Sequence, residues 1–206
     1  MAYYTINVML TRACGRGAIS KSIINEANID FSLEFLEIRS EESPLRIKAR
    51  HHLREDAVKK ILENLKANFG ESIESELAGK TLEIAETDEE QDFVLVNGEP
   101  LLFSVNDTYF PTIRGALKLR PKRKRVVIDM GAVKFVAKGA DIMSPGIVDV
   151  DTSIRKGDLV IVCDEVHGKP LAIGKALVNA DAMMGNRGKA VKSIHYIGDR
   201  IWKMEV

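Results

Sequence analysis

Apolar residues recur at helical spacing in one stretch of the chain, and they predict a helix from about Glu55 to Phe69. Glu55 and Asp56 stand in its first turn, where the helix dipole favours acidic side chains. Gly70 is well placed to end it. The apolar stripe consists of Val58, Ile61, Leu62, Leu65 and Phe69.

Short apolar runs on either side of this helix predict strands. Residues 45–50 alternate apolar and basic positions, as in a half-buried strand, so Arg46, Lys48 and Arg50 are interpreted as a solvent-facing edge. Asn97 and Gly98 separate the apolar runs 93–96 and 101–103, which predicts a hairpin because both turn positions tolerate positive φ. With a strand at 81–84 and a short helix near 114–117, residues 45–117 form a small α/β domain.

The pattern changes to β beyond residue 126. Apolar runs at 126–128, 159–162, 171–173 and 193–197 are separated by glycine-containing turns, which is typical of a small barrel or sandwich. A short helix is predicted across 131–138. The fold class is therefore α+β, with a second domain at 126–206. Residues 1–44 stay unassigned, although Ile6, Val8 and Leu10 alternate like a strand.

The net charge of zero hides an asymmetry between the two parts of the chain. Residues 118–206 hold 17 Lys/Arg and 10 Asp/Glu, whereas residues 1–117 hold 13 and 20. Such an asymmetry indicates contact of the basic part with nucleic acid. Residues 118–125 carry six basic residues in eight, and Pro121 argues against a continuous helix. This basic linker is either a solvated connection or a strap that contacts phosphates.

Cysteine usage and hydropathy bear on the compartment. Cys14 and Cys163 are far apart and neither has a CxxC partner, which fits a reducing cytoplasm and gives no thiolate zinc site. The sequence contains no apolar run of about 18 residues, so we expect no membrane-spanning helix. The N-terminal stretch has polar residues throughout and is a poor signal peptide. We expect a cytoplasmic protein without membrane association.

Motifs for cofactor or metal chemistry do not occur in the sequence. Glycine-rich phosphate loops and the GxSxG nucleophile motif are missing. The four histidines, at 51, 52, 167 and 195, complete no metal-ligand set of familiar spacing, so we predict neither metal nor cofactor. His195 is interpreted as a structural residue bonded to backbone or a carboxylate, and Trp202 as part of a small core.

The string DMGAVKFVAKGADIMSPGI at 129–147 resembles the opening of a PUA domain. The motifs GDLV at 157–160, KPLAIG at 169–174 and KAV at 189–191 follow in the order of that family. The ending HYIGDRIW at 195–202 is similar to the malignant-T-cell-amplified-sequence family and its archaeal relatives. Residues 96–103 and 109–112 are similar to the N-terminal unit of that family.

This resemblance implies a pseudo-barrel of about six strands that binds structured RNA. Its glycines let a phosphate backbone approach the main chain closely, and flanking lysines supply charge; the same glycines also fit tight turns. The first implied RNA-facing strip consists of Lys134, Lys138, Gly139, Ala140, Met143, Pro145, Gly146 and Ile147. The second strip consists of Lys169, Ala172 and Gly174, and the basic linker adds Arg123 and Arg125.

The resemblance further implies a non-enzymatic protein of translation that contacts tRNA or rRNA on a ribosomal subunit. Initiation and ribosome recycling are the implied settings, with a protein partner that carries an initiation-factor-like domain. One alternative is an RNA-specificity subunit or accessory module of an RNA-modifying enzyme, of the pseudouridine synthase or tRNA-guanine transglycosylase type. Another is an enzyme whose chemistry lies in the first 117 residues, although no catalytic Asp motif is recognisable there.

Overall fold

The predicted first helix runs from Glu55 to Phe69 in the computed structural model, which describes residues 44–88, 91–105, 108–185 and 187–206. Within this helix, α1, the side chains of Ile61, Leu65 and Phe69 are buried. Gly70 ends it with φ 89°, and its N–H donates to the Lys66 carbonyl at 2.8 Å. Both ends of the prediction are confirmed. The strand predicted in the first 44 residues lies outside the described residues.

A five-stranded antiparallel sheet, with neighbours in chain order, forms the first half of the described chain. Its strands are β1 (Ile47–His52), β2 (Leu82–Thr87), β3 (Phe93–Val96), β4 (Glu99–Val105) and β5 (Thr108–Pro111). The hairpin predicted between β3 and β4 is confirmed, because Asn97 and Gly98 take φ values of 50° and 84°.

Two shorter helices complete this half. The sequence did not predict α2 (Glu71–Leu77), which starts directly after Gly70 and buries only Ile73 and Leu77. The predicted turn of helix near 114–117 is longer, and forms α3 (Ile113–Leu119). Thr112 caps it, because its hydroxyl oxygen accepts a hydrogen bond from the Gly115 N–H at 3.0 Å.

The second half is built around a six-stranded sheet, as the resemblance implied. Its elements are β6 (Arg125–Ile128), α4 (Met130–Val136), β7 (Ile142–Met143), a 3-10 turn (Ser144–Gly146), β8 (Ile147–Val150), β9 (Leu159–Asp164), β10 (Pro170–Ala176), α5 (Ala180–Met183) and β11 (Lys189–Tyr196). The strands lie in the order β7, β11, β10, β9, β6, β8, and only β6 and β9 pair in parallel among the described strands of this sheet.

The two sheets share one of the two hydrophobic cores. Ile161, Cys163 and Ile173 of the second sheet belong to the same buried cluster as the apolar side of α1. Ile201 and Met204 of the C-terminal tail join them, and Trp202 packs against the cluster while partly exposed. The prediction that Trp202 completes a core is therefore confirmed.

A buried carboxylate fixes the start of this tail. Asp199 accepts hydrogen bonds from the backbone N–H groups of Tyr196 at 2.9 Å and Trp202 at 2.7 Å. His195 Nδ1 lies 2.7 Å from Asp199 Oδ2, so the ring nitrogen carries the proton when the acid is ionised. The structural role predicted for His195 is confirmed.

The ring of Tyr196 packs directly on Gly139, in the turn between α4 and β7. A Cβ built on Gly139 would lie 2.6 Å from Tyr196 Cε1, and the residue takes φ 84°. Gly157 has a comparable φ of 96°, but a Cβ there meets no atom within 4 Å. The two glycines share a backbone requirement, whereas only Gly139 has a packing requirement.

We expect Gly139→Ala to destabilise the protein more than Gly157→Ala. Both substitutions put an L-residue into the left-handed region, at about 1–2 kcal/mol. Only the first adds overpacking against the Tyr196 ring, which costs roughly 1–3 kcal/mol more. Urea unfolding followed by circular dichroism measures both free energies. Equal losses would show that the Gly139–Tyr196 contact adapts without cost.

Candidate nucleic-acid interface

The 3-10 turn packs against the first turn of α4. The Asp129 carboxylate caps the helix by accepting a hydrogen bond from the Ala132 N–H at 2.7 Å. The Asp129 N–H donates to the Gly146 carbonyl at 2.9 Å. A Cβ on Gly146 would lie 3.1 Å from the Ala132 Cβ, so the glycine permits this close approach. The fold thereby places Gly146, near the end of the first implied strip, against the start of the helix that carries Lys134.

Most of the first strip is on the surface. Of its eight residues, five have exposed side chains, and Gly139 and Gly146 are partly exposed. Ile147 is the exception, since only 6% of it is accessible and it belongs to the second hydrophobic core. We call the exposed set, together with one unpredicted neighbour, the helix-turn surface. It consists of Lys134, Phe135, Lys138, Ala140, Met143 and Pro145.

Phe135 is that unpredicted neighbour. It is 57% exposed, and the Lys134 ammonium lies 5.0 Å from the centroid of its ring. The helical period could have shown this exposure, because Val133, Val136 and Ala137 share the buried side of the helix and leave position 135 outside. An exposed aromatic ring beside lysines is a suitable contact for a nucleic-acid base.

Two of the three residues of the second strip are buried, although the resemblance implied that they face RNA. Ala172 is fully buried and Gly174 is also buried, because both lie on β10, which is paired with β9 on one side and β11 on the other. A Cβ on Gly174 would lie 2.6 Å from the Lys192 carbonyl oxygen, so this glycine is required by strand packing. We therefore remove Ala172, Gly174 and the buried Ile147 from the proposed surface.

Lys169 occupies a different position from the other members of its strip. It directly precedes β10, at the end of the hairpin that connects β9 to β10. Its backbone N–H donates to the Asp164 carboxylate at 2.9 Å, and the residue is partly exposed. Its place in an RNA surface stays a prediction.

The basic linker is partly neutralised by acids of the fold. Lys118 Nζ lies 2.7 Å from the Glu99 carboxylate, and Lys124 Nζ lies 2.6 Å from Asp158. The Lys124 side chain is only 16% exposed. These two lysines are therefore held in internal ion pairs, which does not favour a continuous phosphate-contacting strap.

The two arginines assigned to the interface lie in different places. Arg123 is exposed, and its guanidinium carbon lies 3.9 Å from the position of a Cβ on Gly70, next to α1. Arg125 is on β6 and donates to the Gly168 carbonyl at 3.0 Å, beside the β9–β10 hairpin. The structure does not bring them into one patch, and their contact with RNA stays a prediction.

Asp141 connects the helix-turn surface to β11. Its carboxylate accepts a hydrogen bond from the Ser193 N–H at 3.0 Å and pairs with Lys189 at 3.0 Å. The Ser193 hydrogen bond is the largest influence and lowers the pKa of Asp141; partial burial opposes it, and Lys189 lowers it further. The ionised acid therefore stabilises this connection.

Several kinds of site are missing from the described part of the chain. No group of three or more His, Cys, Asp or Glu side chains there is arranged to hold a metal ion. None of the described helices is long and apolar enough to span a membrane. Burial raises the pKa of the Cys163 thiol, which does not favour a nucleophilic thiolate at that position.

Comparison with known proteins assigns a family to each half of the chain. The model of the PUA domain matches residues 124–197. A model described as a domain of unknown function, DUF1947, matches residues 49–119. Among solved structures, a hypothetical protein from the archaeon Pyrococcus horikoshii is 40% identical and superposes with a TM-score of 0.70, covering 75% of this chain and 98% of that one.

Three curated relatives match this chain over most of their own length. An uncharacterized protein of Methanocaldococcus jannaschii is 42% identical over 78% of this chain and 99% of its own length. Malignant T-cell-amplified sequence 1-B of Xenopus laevis is 30% identical over 60% of this chain and 71% of its own length. Translation machinery-associated protein 20 of Saccharomyces cerevisiae is 29% identical, with coverages of 61% and 73%.

We expect the stability lost in Asp141→Asn to depend on pH. A carboxylate whose pKa is lowered by folding contributes stability above its unfolded pKa of about 3.9, and loses it as pH falls through the folded value. The free energies of unfolding of wild type and Asp141→Asn should therefore differ most at neutral pH and converge in acid. Urea titrations at neutral and acidic pH measure this difference.

The matched control is Asp149→Asn, which removes an exposed acid from strand β8, next to β6 at the other edge of the same sheet. It should change stability little at neutral pH. A deficit of Asp141→Asn that stays constant over the whole pH range would contradict the role given to the ionised carboxylate.

Proposed function

This chain belongs to the family of PUA-domain proteins that includes Translation machinery-associated protein 20 and the malignant T-cell-amplified sequence proteins, and we propose that it binds structured RNA of the translation apparatus as a non-enzymatic protein. The observation that carries the proposal is the helix-turn surface within the matched PUA domain. It combines exposed lysines with an exposed aromatic ring.

The composition of this surface favours structured RNA. Lys134 and Lys138 supply charge for phosphates, and Ala140, Met143 and Pro145 give an exposed face with few groups that could read a base sequence. Duplex RNA is recognised mainly by shape and by its 2′-hydroxyl and phosphate groups, so such a face is sufficient. The ligand that we propose is accordingly tRNA, at its acceptor end, or rRNA.

The setting that we propose is the cytoplasmic ribosome, during initiation or recycling, with a protein partner that carries an initiation-factor-like domain. The name of Translation machinery-associated protein 20 supports the setting, although it is a statement about that relative. The first domain, at 45–117, is the acidic part of the described chain and is the proposed surface for that protein partner.

Two experiments separate this function from the alternatives with an RNA-modifying enzyme. Purified chain is incubated with bulk tRNA and donor substrates, and nucleosides are analysed by mass spectrometry; base modification by the chain alone would overturn the non-enzymatic proposal. A pull-down from cell extract then tests the setting. Ribosomal subunits should co-purify, whereas a modification enzyme in their place would favour the accessory-module alternative.

We expect binding to bulk tRNA to weaken with salt, with a log–log slope of about −3 to −6. Lys134→Ala combined with Lys138→Ala should make this slope shallower by roughly 1–2, because fewer counterions are released. The control combines Lys156→Ala with Lys175→Ala, which removes two exposed lysines elsewhere in the second half. Unchanged binding by the first variant would show that the surface is assigned incorrectly.

Phe135→Ala should lower RNA affinity without changing the salt slope, because it removes a ring and no charge. Stacking of a base on an aromatic side chain is worth about 1–3 kcal/mol, so we expect a loss of roughly five-fold or more. Phe135→Tyr keeps the ring and should retain affinity. Fluorescence anisotropy over a salt series measures both quantities. If Phe135→Ala bound like wild type, the ring would be no part of the interface.

A further inference from the structure

The first sheet has a basic edge that the helix-turn surface does not include. Strand β1 is at the end of the first sheet and pairs with β2, and no other strand of the described residues pairs with its outer side. We define the basic edge as Arg46, Lys48, Arg50, His51 and His52, all of which are exposed. The PUA match begins at residue 124, so the basic edge lies outside that domain.

Charge is distributed unevenly within the first domain. Residues 45–54 hold four Lys/Arg and no Asp/Glu, whereas residues 55–117 hold five Lys/Arg and 14 Asp/Glu. An ordinary solvated surface would mix both signs. The cations of an otherwise acidic domain are thus concentrated along one strand and its ends.

The described residues of the fold neutralise these cations unequally. Arg50 is paired with Glu83 at 2.5 Å, and this hydrogen bond raises the pKa of the arginine. Arg46 and Lys48 have no ion pair within the part of the chain that the structure describes, and both side chains are exposed. They remain available to an external anion.

An acidic peptide could in principle be the external anion and add to the sheet as a further strand, but the geometry of β1 disfavours this. The register of β1 against β2 shifts between Ile47 and Ala49, so Lys48 is an extra residue opposite β2, an irregularity of the kind that a β-bulge produces. Bulges and lysines on an edge strand block the addition of another strand. The usual explanation of such an edge is protection against aggregation, but protection does not require that every charge be positive. A polyanion that needs no backbone pairing fits both features.

We propose that the basic edge is a second RNA-binding surface, which contacts phosphates through Arg46 and Lys48. This inference rests on the proposed function, because it assigns a second contact to the same class of ligand. The basic edge is on the first sheet, whereas the helix-turn surface belongs to the second half of the described chain, so we expect an RNA that is large enough to contact both. Ribosomal RNA has that size, and the chain then binds through two separate sites rather than through its PUA domain alone.

The test compares two double variants of the first domain that remove the same charge. The first combines Arg46→Ala with Lys48→Ala, and the control combines Lys59→Ala with Lys60→Ala, on the exposed side of α1. The probe is RNA extracted from purified ribosomal subunits, and affinity is measured over a salt series. We expect the first variant to make the log–log slope shallower by about 1–2 and the control to leave it unchanged.

Charge and folding are controlled separately. Arg46→Lys combined with Lys48→Arg conserves the charge and should keep the wild-type slope, and thermal unfolding checks that all variants are folded. The inference is overturned if the variant with Arg46 and Lys48 replaced has the wild-type salt slope. It is also overturned if the variant with Lys59 and Lys60 replaced changes the salt slope by the same amount. If the variant with Arg46 and Lys48 replaced instead bound RNA normally and lost binding to polyglutamate, the occupant would be an acidic protein, and the inference would be wrong.

Failure of the inference is distinguishable from failure of the proposed function. If wild-type protein binds neither bulk tRNA nor ribosomal RNA, the proposed function fails. If wild type binds and the variant with Lys134 and Lys138 replaced has a shallower slope, whereas the variant with Arg46 and Lys48 replaced does not, only the second surface is refuted.

Discussion

The carboxylate of Asp199 is the interaction on which the arrangement of the described chain depends most. It is 7% exposed and binds two backbone N–H groups and the His195 ring. Burial of a carboxylate is unfavourable unless hydrogen bonds replace those that it made to water. The same bonds satisfy the buried donors, each of which would cost about 1–3 kcal/mol if it were left unpaired. The bonds turn the chain after β11, so that Ile201 and Met204 enter the core shared by both sheets.

The tail in turn contacts the first half of the described chain through Arg114 of α3. Its guanidinium donates to the carbonyl groups of Trp202 and Met204, and lies 5.7 Å from the centroid of the Trp202 ring. Desolvation lowers the pKa of Arg114, because burial disfavours its charged form. The hydrogen bonds to the two carbonyl groups and the nearby Trp202 ring offset the free energy of this desolvation. On the other side, Tyr196 packs on Gly139 and positions the turn that leads to the helix-turn surface. Strand β11 therefore leads into the tail that enters the shared core and also carries Tyr196, which packs on the turn beside the helix-turn surface.

The sequence predicted those elements whose signals are local. The stripe of α1 and the Asn97-Gly98 turn depend on residues a few positions apart, and the structure has both where they were expected. Helix α2 was missed because it holds only two buried apolar residues, too few for a clear period. The shared core depends on packing between distant segments, and no single-sequence pattern indicates that one face of β9 belongs to the same core as α1.

The candidate site shows the same distinction between local and non-local signals. Small residues are compatible with contact to a ligand and with close packing, so a motif cannot decide between them; strand β10 assigns Ala172 and Gly174 to packing. Charge has a similar ambiguity. Two lysines of the dense linker at 118–125 are neutralised by distant acids, whereas Arg46 and Lys48, in a sparser segment, have no ion-pair partner among the residues that the structure describes. Electrostatic attraction of a polyanion depends on unpaired charge, which the tertiary fold determines and a count along the sequence does not.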